Sequence, residues 1–287
     1  MKKYLILTST VEHLAENLIK KGKDFELICP EKNKEGRRFF PDGEVYIKIS
    51  GVSGFGGGEV TILHSGMPNP NDGLIELELI LQVLKDWRIK PAVFFTYFPY
   101  GRQDKIFEAG ETCAAENLIK KLVDYYKVKK IYIIDPHFGE MGWIKKYPIM
   151  NISAVSFLTQ KIKEDFRKDL LLLTPDKGGK RRTGIAGLDK KRVNSFEVKS
   201  FSSKIAMAGK NIAVVDDIIG TGGTLAKFYE FAKQSDAKEI TALITHGVLD
   251  QGIQRIKSTF AKLYFTNTIN KKEANIDITD LIVSALE

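Results

Sequence analysis

The chain has 287 residues, of which 43% are hydrophobic and 28% are charged. This length allows one large domain or two of ordinary size, and the apolar content is enough for a sizeable core, which excludes a disordered chain. The longest apolar runs, residues 92–95 and 170–173, are too short to cross a bilayer, and the start lacks the features of a secretory signal. We therefore expect a cytoplasmic protein with no membrane partner. The two cysteines, Cys29 and Cys113, form neither a disulfide framework nor a metal-binding spacing.

The net charge of +8 suits nucleic acid, an acidic membrane or an anionic small substrate. Lysine accounts for 35 of the 44 basic residues and arginine for 9. The planar fork of arginine suits phosphate, whereas scattered lysines mostly form a solvated surface. Six arginines lie in or beside the motifs described below: Arg37, Arg38, Arg102, Arg181, Arg182 and Arg192. We see no nucleic-acid-binding module, so we expect an anionic small substrate and no nucleic acid.

The first half alternates short apolar runs with amphipathic stretches. Buried parallel strands are predicted at 4–9, 59–64, 92–97 and 130–135. Helical periodicity covers 71–87 and 112–126, and Asn71 or Asp72 is the expected N-cap of the first helix. The glycine-rich segment 50–59 precedes a strand, which favours a hairpin turn or flexible loop over a phosphate loop.

The pattern restarts after about Pro148. Strands are predicted at 170–174, 211–216, 239–246 and 261–266, and helices at 153–166, 221–234 and 277–286. Strand–helix alternation occurring twice predicts an α/β protein of two similar domains, each a mainly parallel sheet flanked by helices. We place the domains at 1–147 and 148–287, with the last helix able to pack on the N-terminal domain.

The stretch VVDDIIGTGGTL, from Val214 to Leu225, places two carboxylates and a glycine-rich turn between a strand and a helix. Glycines and a helix N-terminus can aim several N–H groups at one anion, which predicts a phosphate cradle. The residues of this cradle are Gly220, Thr221, Gly222, Gly223 and Thr224. Asp216 and Asp217 could accept hydrogen bonds from sugar hydroxyls, so a phosphorylated sugar suits both groups.

The alternative is a capped helix beside a solvated Asp pair. The turn has neither a dinucleotide fingerprint nor a Walker sequence. The whole string closely resembles the ribose-phosphate motif of the type I phosphoribosyltransferase fold. That fold serves enzymes that consume phosphoribosyl pyrophosphate (PRPP) and the ribose-phosphate pyrophosphokinases, or PRPP synthetases, that make it. The loop alone does not decide between them.

Two N-terminal stretches resemble the ATP-binding motifs of the pyrophosphokinase family. In RRFFPDGEVYIKI, the resemblance assigns adenine and ribose contacts to Phe40, Asp42 and Glu44; read by itself, PDG is a turn before a strand. In YFPYGRQDK, the R-Q-D motif implies nucleotide contacts, which the resemblance assigns to Arg102, Gln103 and Asp104. A structural salt bridge is the alternative for this second stretch.

Two further stretches resemble the metal and pyrophosphate elements of the family. IIDPHFGE carries the family's Asp-x-His pattern, which implies that His137 ligates Mg²⁺, although imidazole is an unusual ligand for this hard cation. LLTPDKGGKRRT resembles the pyrophosphate loop, with Asp176 holding Mg²⁺ beside Gly178 and Gly179. The basic residues that follow are interpreted as a solvated helix face.

The stretch LDKKRVNSFEVKS is a polar segment before a predicted strand. The family has Lys-x-Arg on a mobile loop that closes over the phosphates, and Lys190 and Arg192 keep that spacing. Lys191 leaves the register open by one residue. The resemblance implies that the catalytic residues are Lys190 and Arg192.

The matches follow one another from Arg37 to Thr224, so the resemblance covers nearly the whole chain. It implies an enzyme that transfers the β,γ-diphosphoryl group of ATP to the anomeric hydroxyl of ribose 5-phosphate and releases PRPP and AMP. It also implies Mg²⁺ as cofactor and a homodimer or larger homo-oligomer. A PRPP-using transferase and a non-catalytic regulatory homologue remain as alternatives.

Overall fold

A computed structural model describes residues 1–165, 170–192, 198–202 and 205–287. They form two compact units, one comprising Met1–Ile152 with Thr279–Glu287 and the other Ser153–Ile278. Residues 148–152, which the sequence analysis assigned to the second domain, lie in the first unit. No helix in the described part of the chain is long and apolar enough to span a membrane.

The first unit contains a six-stranded sheet in the order β2-β1-β3-β4-β5-β6, with every neighbouring pair parallel. Its strands are β1 (Lys3–Leu7), β2 (Phe25–Ile28), β3 (Glu59–Ser65), β4 (Ala92–Tyr97), β5 (Lys130–Ile134) and β6 (Ile149–Ile152). The two edge strands, β2 and β6, were not predicted, because each is only four residues long and partly exposed. All six strands point the same way, so the motifs that follow β4 and β5 emerge at one edge of the sheet.

Four helices belong to the first unit: α1 (Ala15–Lys21), α2 (Pro70–Asp86), α3 (Ala114–Asp124) and α8 (Thr279–Leu286). The N-cap prediction for α2 was wrong, because the cap residue is Asn69 and Pro70 begins the helix. Proline suits this place because its missing N–H would be unpaired there in any case. The glycine-rich segment forms turns around a 3₁₀ helix, Val52–Phe55, and leads into β3.

The second unit contains a four-stranded parallel sheet in the order β12-β11-β10-β7 and a two-stranded antiparallel ladder of β8 and β9. Its strands are β7 (Leu170–Leu173), β8 (Asp189–Arg192), β9 (Val198–Ser202), β10 (Asn211–Ile219), β11 (Glu239–Gly247) and β12 (Lys262–Phe265). Its helices are α4 (Ala154–Asp165), α5 (Lys177–Thr183), α6 (Gly223–Gln234) and α7 (Asp250–Thr259). Helix α7 was not predicted, and α5 was anticipated only as a helix face carrying the basic residues after Asp176.

The central strands β4, β10 and β11 are buried along most of their length, which explains the continuous apolar runs in the sequence. Phe95 and Ile133 lie in the core of the first unit, and Val214, Phe228 and Phe265 in that of the second. The predicted fold class is therefore confirmed: two α/β units, each with a mainly parallel sheet. In such sheets, ligands bind beyond the carboxyl ends of the strands.

Candidate functional site

The predicted phosphate cradle is a strand–loop–helix turn between β10 and α6. The sequence predicts that the strand ends at Asp216, which would put the two aspartates at its end. Strand β10 instead continues to Ile219, so both aspartates lie within it. Gly222 caps α6 with φ 76°, a left-handed conformation that favours glycine. Four backbone N–H groups of this turn have no hydrogen-bond acceptor among the described residues: those of Thr221, Gly222, Gly223 and Thr224. These are the unpaired donors that begin a helix, so the turn can receive an anion.

Asp216 and Asp217 lie close together on β10, and the backbone N–H of Asp217 donates a hydrogen bond of 3.1 Å to Oδ1 of Asp216. Asp217 is 8% exposed, and its Oδ1 accepts a hydrogen bond of 3.1 Å from Nη2 of Arg182. Burial raises the pKa of Asp216 well above its usual range, and the neighbouring Asp217 carboxylate raises it further. The pair therefore combines one carboxylate held by a cation with one whose ionisation is costly.

Arg182 corrects the prediction that the basic residues after Asp176 form a solvated helix face. Its side chain is only 18% exposed, and the carboxylates of Asp217, Asp216 and Asp176 all lie within electrostatic reach of it. A Cβ added at Gly178 would lie 3.1 Å from Nη1 of Arg182 and from Oδ1 of Asp176. Gly178 therefore leaves room for the guanidinium and carboxylate groups.

The predicted pyrophosphate loop forms the first turn of α5. Asp176 caps this helix, and its Oδ1 accepts a hydrogen bond of 2.9 Å from the backbone N–H of Gly179. A Cβ on Gly179 would lie 2.8 Å from Cβ of Thr174, too close for any larger residue without displacement. Close packing against Thr174 thus requires glycine at position 179 in this compact turn between β7 and α5.

The R-Q-D and Asp-x-His segments meet in the first unit. Arg102, Gln103 and Asp104 follow β4, and His137 follows the adjacent strand β5. The indole Nε1–H of Trp143 donates a hydrogen bond of 3.2 Å to the backbone carbonyl of Asp104. The same indole stacks on Phe138 with the ring centroids 5.0 Å apart. Trp143, which the sequence analysis did not select, thus connects the backbone of the R-Q-D segment to the residue after His137.

The predicted adenine-binding residues Phe40, Asp42 and Glu44 lie on an exposed turn closed by the bridge between Phe39 and Val45. The Phe40 N–H donates to the carbonyl of Glu44 at 2.8 Å, and Oδ1 of Asp42 accepts from the N–H of Glu44 at 3.1 Å.

This turn is connected to the rest of the unit by Arg38. Arg38 pairs with Glu12 on one side, and its Nη1 lies 3.9 Å from Oε1 of the buried Glu76. Ser9 anchors that carboxylate through its backbone N–H at 2.8 Å and its hydroxyl at 2.6 Å. The PDG turn is therefore fixed at its base and exposed at its tip.

Lys190 and Arg192, which the sequence places on a polar segment before a strand, lie on β8. The backbone of Lys190 pairs with Phe201 and that of Arg192 with Val198, and the register shifts between Lys191 and Arg192. The rest of the predicted mobile loop, residues 193–197, lies outside the described residues.

The candidate magnesium ligands fit the cation in part. Carboxylate oxygens are its preferred ligands, and Asp176, Asp216 and Asp217 share one guanidinium, so the cluster has excess negative charge. Among the residues described here, no group of three His, Cys, Asp or Glu side chains could hold a metal by itself. His137 belongs to the first unit and the carboxylates to the second. The carboxylates of the second unit, taken by themselves, suit Mg²⁺ that arrives with substrate phosphates, the usual mode of binding for this ion.

Comparisons with known proteins decide the family. Residues 5–125 match the N-terminal domain of ribose phosphate pyrophosphokinase, and residues 181–279 match the phosphoribosyl transferase domain. The ribose-phosphate pyrophosphokinase of Pyrococcus abyssi is 31% identical over 297 residues, covering 99% of this chain and 98% of the relative. The chain belongs to the ribose-phosphate pyrophosphokinase family.

A second pyrophosphokinase, from Thermococcus kodakarensis, is 32% identical over 250 residues, covering 83% of this chain and 87% of its own. The fold matches that of phosphoribosylpyrophosphate synthetase from Mycobacterium smegmatis, with a TM-score of 0.83, 22% identity, and coverage of 100% of this chain and 98% of that one. The family and the fold class expected from the motifs are both confirmed.

Proposed function

We propose that this pyrophosphokinase transfers the β,γ-diphosphoryl group of ATP to the anomeric hydroxyl of ribose 5-phosphate, giving PRPP and AMP. The observation that carries the proposal is the turn after β10. Its N–H groups of residues 221–224 lack acceptors among the described residues, and a carboxylate pair lies on the strand that leads into it. This arrangement offers donors to a phosphate and acceptors to sugar hydroxyls within one element.

In this proposal, the 5-phosphate binds the N–H groups of residues 221–224, and Asp216 and Asp217 accept hydrogen bonds from the ribose hydroxyls. Arg182 offsets part of the charge of the carboxylates, which lessens their repulsion of a phosphate bound at the neighbouring loop.

ATP is assigned to the first unit. Phe40, Asp42 and Glu44 contact the nucleoside, and Arg102, Gln103 and Asp104 contact its base and phosphates. The support is that the R-Q-D segment emerges beside His137 at the carboxyl edge of the sheet and is held there by Trp143. An arginine fork at such an edge can bind phosphate with two parallel hydrogen bonds.

The transfer itself depends mainly on positioning and on positive charge at the moving group. Lys190 and Arg192 supply this charge. Asp176 and His137 would each, within its own unit, be able to hold Mg²⁺ bound to substrate phosphates, and the ion would neutralise charge on those phosphates. A cytoplasmic location and assembly as a homodimer or larger homo-oligomer complete the proposal.

The test is to supply ATP, Mg²⁺ and ribose 5-phosphate and to measure AMP and PRPP. We expect both products in equal amounts, and neither when ribose replaces ribose 5-phosphate. Release of pyrophosphate from PRPP in the presence of a nucleobase, without AMP formation from ATP, would instead identify a PRPP-using transferase. Binding of both substrates without any product would identify a non-catalytic homologue.

A further inference from the structure

Helix α7 lies directly against the phosphate loop of the same unit. A Cβ added at Gly252 would lie 1.8 Å from the backbone oxygen of Gly220, and one added at Gly222 would lie 3.1 Å from the oxygen of Gly252. The first distance is far below any real contact, so only glycine permits this approach. The loop and the first turn of α7 therefore pack backbone against backbone.

Arg255 makes the second contact between α7 and the loop. Its Nη1 donates a hydrogen bond of 3.2 Å to the backbone carbonyl of Thr221. Its Cδ lies 3.4 Å from the position that a Cβ on Gly222 would occupy. The side chain of Arg255 thus extends from α7 along the loop to this carbonyl.

This hydrogen bond has a consequence for the next residue. A trans peptide is planar, so the carbonyl of Thr221 and the N–H of Gly222 point in opposite directions. Because the hydrogen bond from Arg255 holds the Thr221 carbonyl towards α7, the Gly222 N–H points away from α7. That N–H is one of the donors for which the described residues provide no acceptor.

We propose that Arg255 is a positioning residue that sets the orientation of the Thr221–Gly222 peptide for binding the 5-phosphate, with Gly252 as the contact that makes the approach possible. The proposal rests on the proposed function, since it takes ribose 5-phosphate as the ligand of this loop. The guanidinium also places one positive charge on the far side of the loop. That charge adds to the partial positive charge at the N-terminus of α6.

The test compares Arg255→Ala, Arg255→Lys and Gly252→Ala with Lys257→Ala. Lys257 is an exposed residue on the same helix and serves as the control. Calorimetry measures ribose 5-phosphate binding, and steady-state kinetics separate KM for each substrate from kcat. Loss of a charged hydrogen bond predicts about tenfold weaker ribose 5-phosphate binding by Arg255→Ala. KM for ATP, kcat at saturating ribose 5-phosphate and the unfolding temperature should stay near wild-type values, and Arg255→Lys should restore part of the affinity.

Gly252→Ala should weaken ribose 5-phosphate binding at least as much as Arg255→Ala does. If Gly252→Ala fails to fold, the Arg255 variants alone test the positioning role. Equal affinity in wild type, Arg255→Ala and Lys257→Ala would overturn the positioning role, as would equal losses for ATP and ribose 5-phosphate. Failure of the wild-type protein to bind ribose 5-phosphate would instead overturn the proposed function, so the two failures are distinguishable.

Discussion

Asp216 and Asp217 are adjacent and chemically identical, yet their side chains differ in how they are paired. Asp217 accepts a hydrogen bond from Arg182, whereas desolvation and the neighbouring Asp217 carboxylate raise the pKa of Asp216. The sequence showed that two carboxylates precede a phosphate loop. It could not show which of them is paired, because the partner lies 35 residues earlier in the chain.

Isosteric substitutions should therefore change stability in opposite directions. Asp216→Asn removes a buried charge beside a like charge, so the free energy of unfolding at neutral pH should rise. Asp217→Asn leaves Arg182 without its carboxylate partner and should lower that free energy by about 1–3 kcal/mol. Both variants should bind ribose 5-phosphate about tenfold more weakly or worse, since sugar hydroxyls lose charged acceptors.

Chemical denaturation and calorimetry on the same samples check these changes. The folded pKa of Asp216 is raised, so the folded state binds more protons than the unfolded state. Its contribution to stability therefore declines as pH rises from about the ordinary Asp pKa of ~3.9, and Asp216→Asn should abolish that decline. Unchanged ribose 5-phosphate affinity in both variants would contradict the sugar assignment.

His64 gives a second residue-scale prediction. It is fully buried, with Nδ1 3.1 Å from the hydroxyl of Thr8, and burial lowers its pKa to about 3. Below pH of about 6.5, the ordinary pKa of histidine, this side chain is protonated in the unfolded chain but stays neutral in the folded protein. Stability should therefore fall with decreasing pH between about 6.5 and 3, by up to about 1.4 kcal/mol per pH unit from this residue. Denaturation at several pH values should show a shallower slope for His64→Gln, and an equal slope would contradict this.

At the scale of elements, long and strongly patterned segments were predictable and short ones were not. The apolar runs of β4, β10 and β11 predict buried strands because parallel sheets bury both faces. The four-residue edge strands β2 and β6 carry too few residues for a pattern, and Gly178 and Gly179 favoured a turn where α5 begins. Helix α7 did offer a signal, since Ile253, Ile256 and Phe260 recur at helical spacing.

The ladder of β8 and β9 carries an element-scale prediction. If Lys190 and Arg192 act mainly on the transition state, alanine at either should lower kcat by on the order of 10²–10³ and leave KM for ATP nearly unchanged. Because the Lys-x-Arg motif leaves its register open by one residue, Lys191→Ala is the matched comparison. A larger defect in Lys191→Ala would move the functional lysine by one residue. Full kcat in all three variants, measured as steady-state AMP release, would remove this ladder from catalysis.

At the scale of the whole molecule, two repeats of strand–helix alternation were enough to predict two α/β units. The pattern allowed α8 to pack on either unit, and the structure places it in the first. Helix α8 packs on α1, the Lys3 ammonium donates to the carbonyl of Leu286 at 3.0 Å, and Lys21 pairs with Asp280 at 2.8 Å. These partners are far apart in sequence, so no local signal identifies them.

Ile282→Ala should therefore destabilise the first unit selectively. Ile282 is fully buried, and truncating such a side chain typically costs about 2–5 kcal/mol. Amide hydrogen exchange should accelerate in β1 and β3 and stay near wild-type rates in β10 and β11. Ser284→Ala, at an exposed position of the same helix, is the control. Equal acceleration in both units would contradict the assignment of α8.

The place of α8 in the chain also constrains the order in which the molecule is made. Residues 153–278 are translated between the sheet of the first unit and the helix that completes it. On the ribosome, the emerging first unit therefore exposes the surface that α8 later covers until the intervening 126 residues, 153 to 278, have been synthesised. Contacts that span most of a chain form late and slowly, because a long loop must close first. The apolar surface that α8 covers is thus exposed to aggregation while the second unit is being translated.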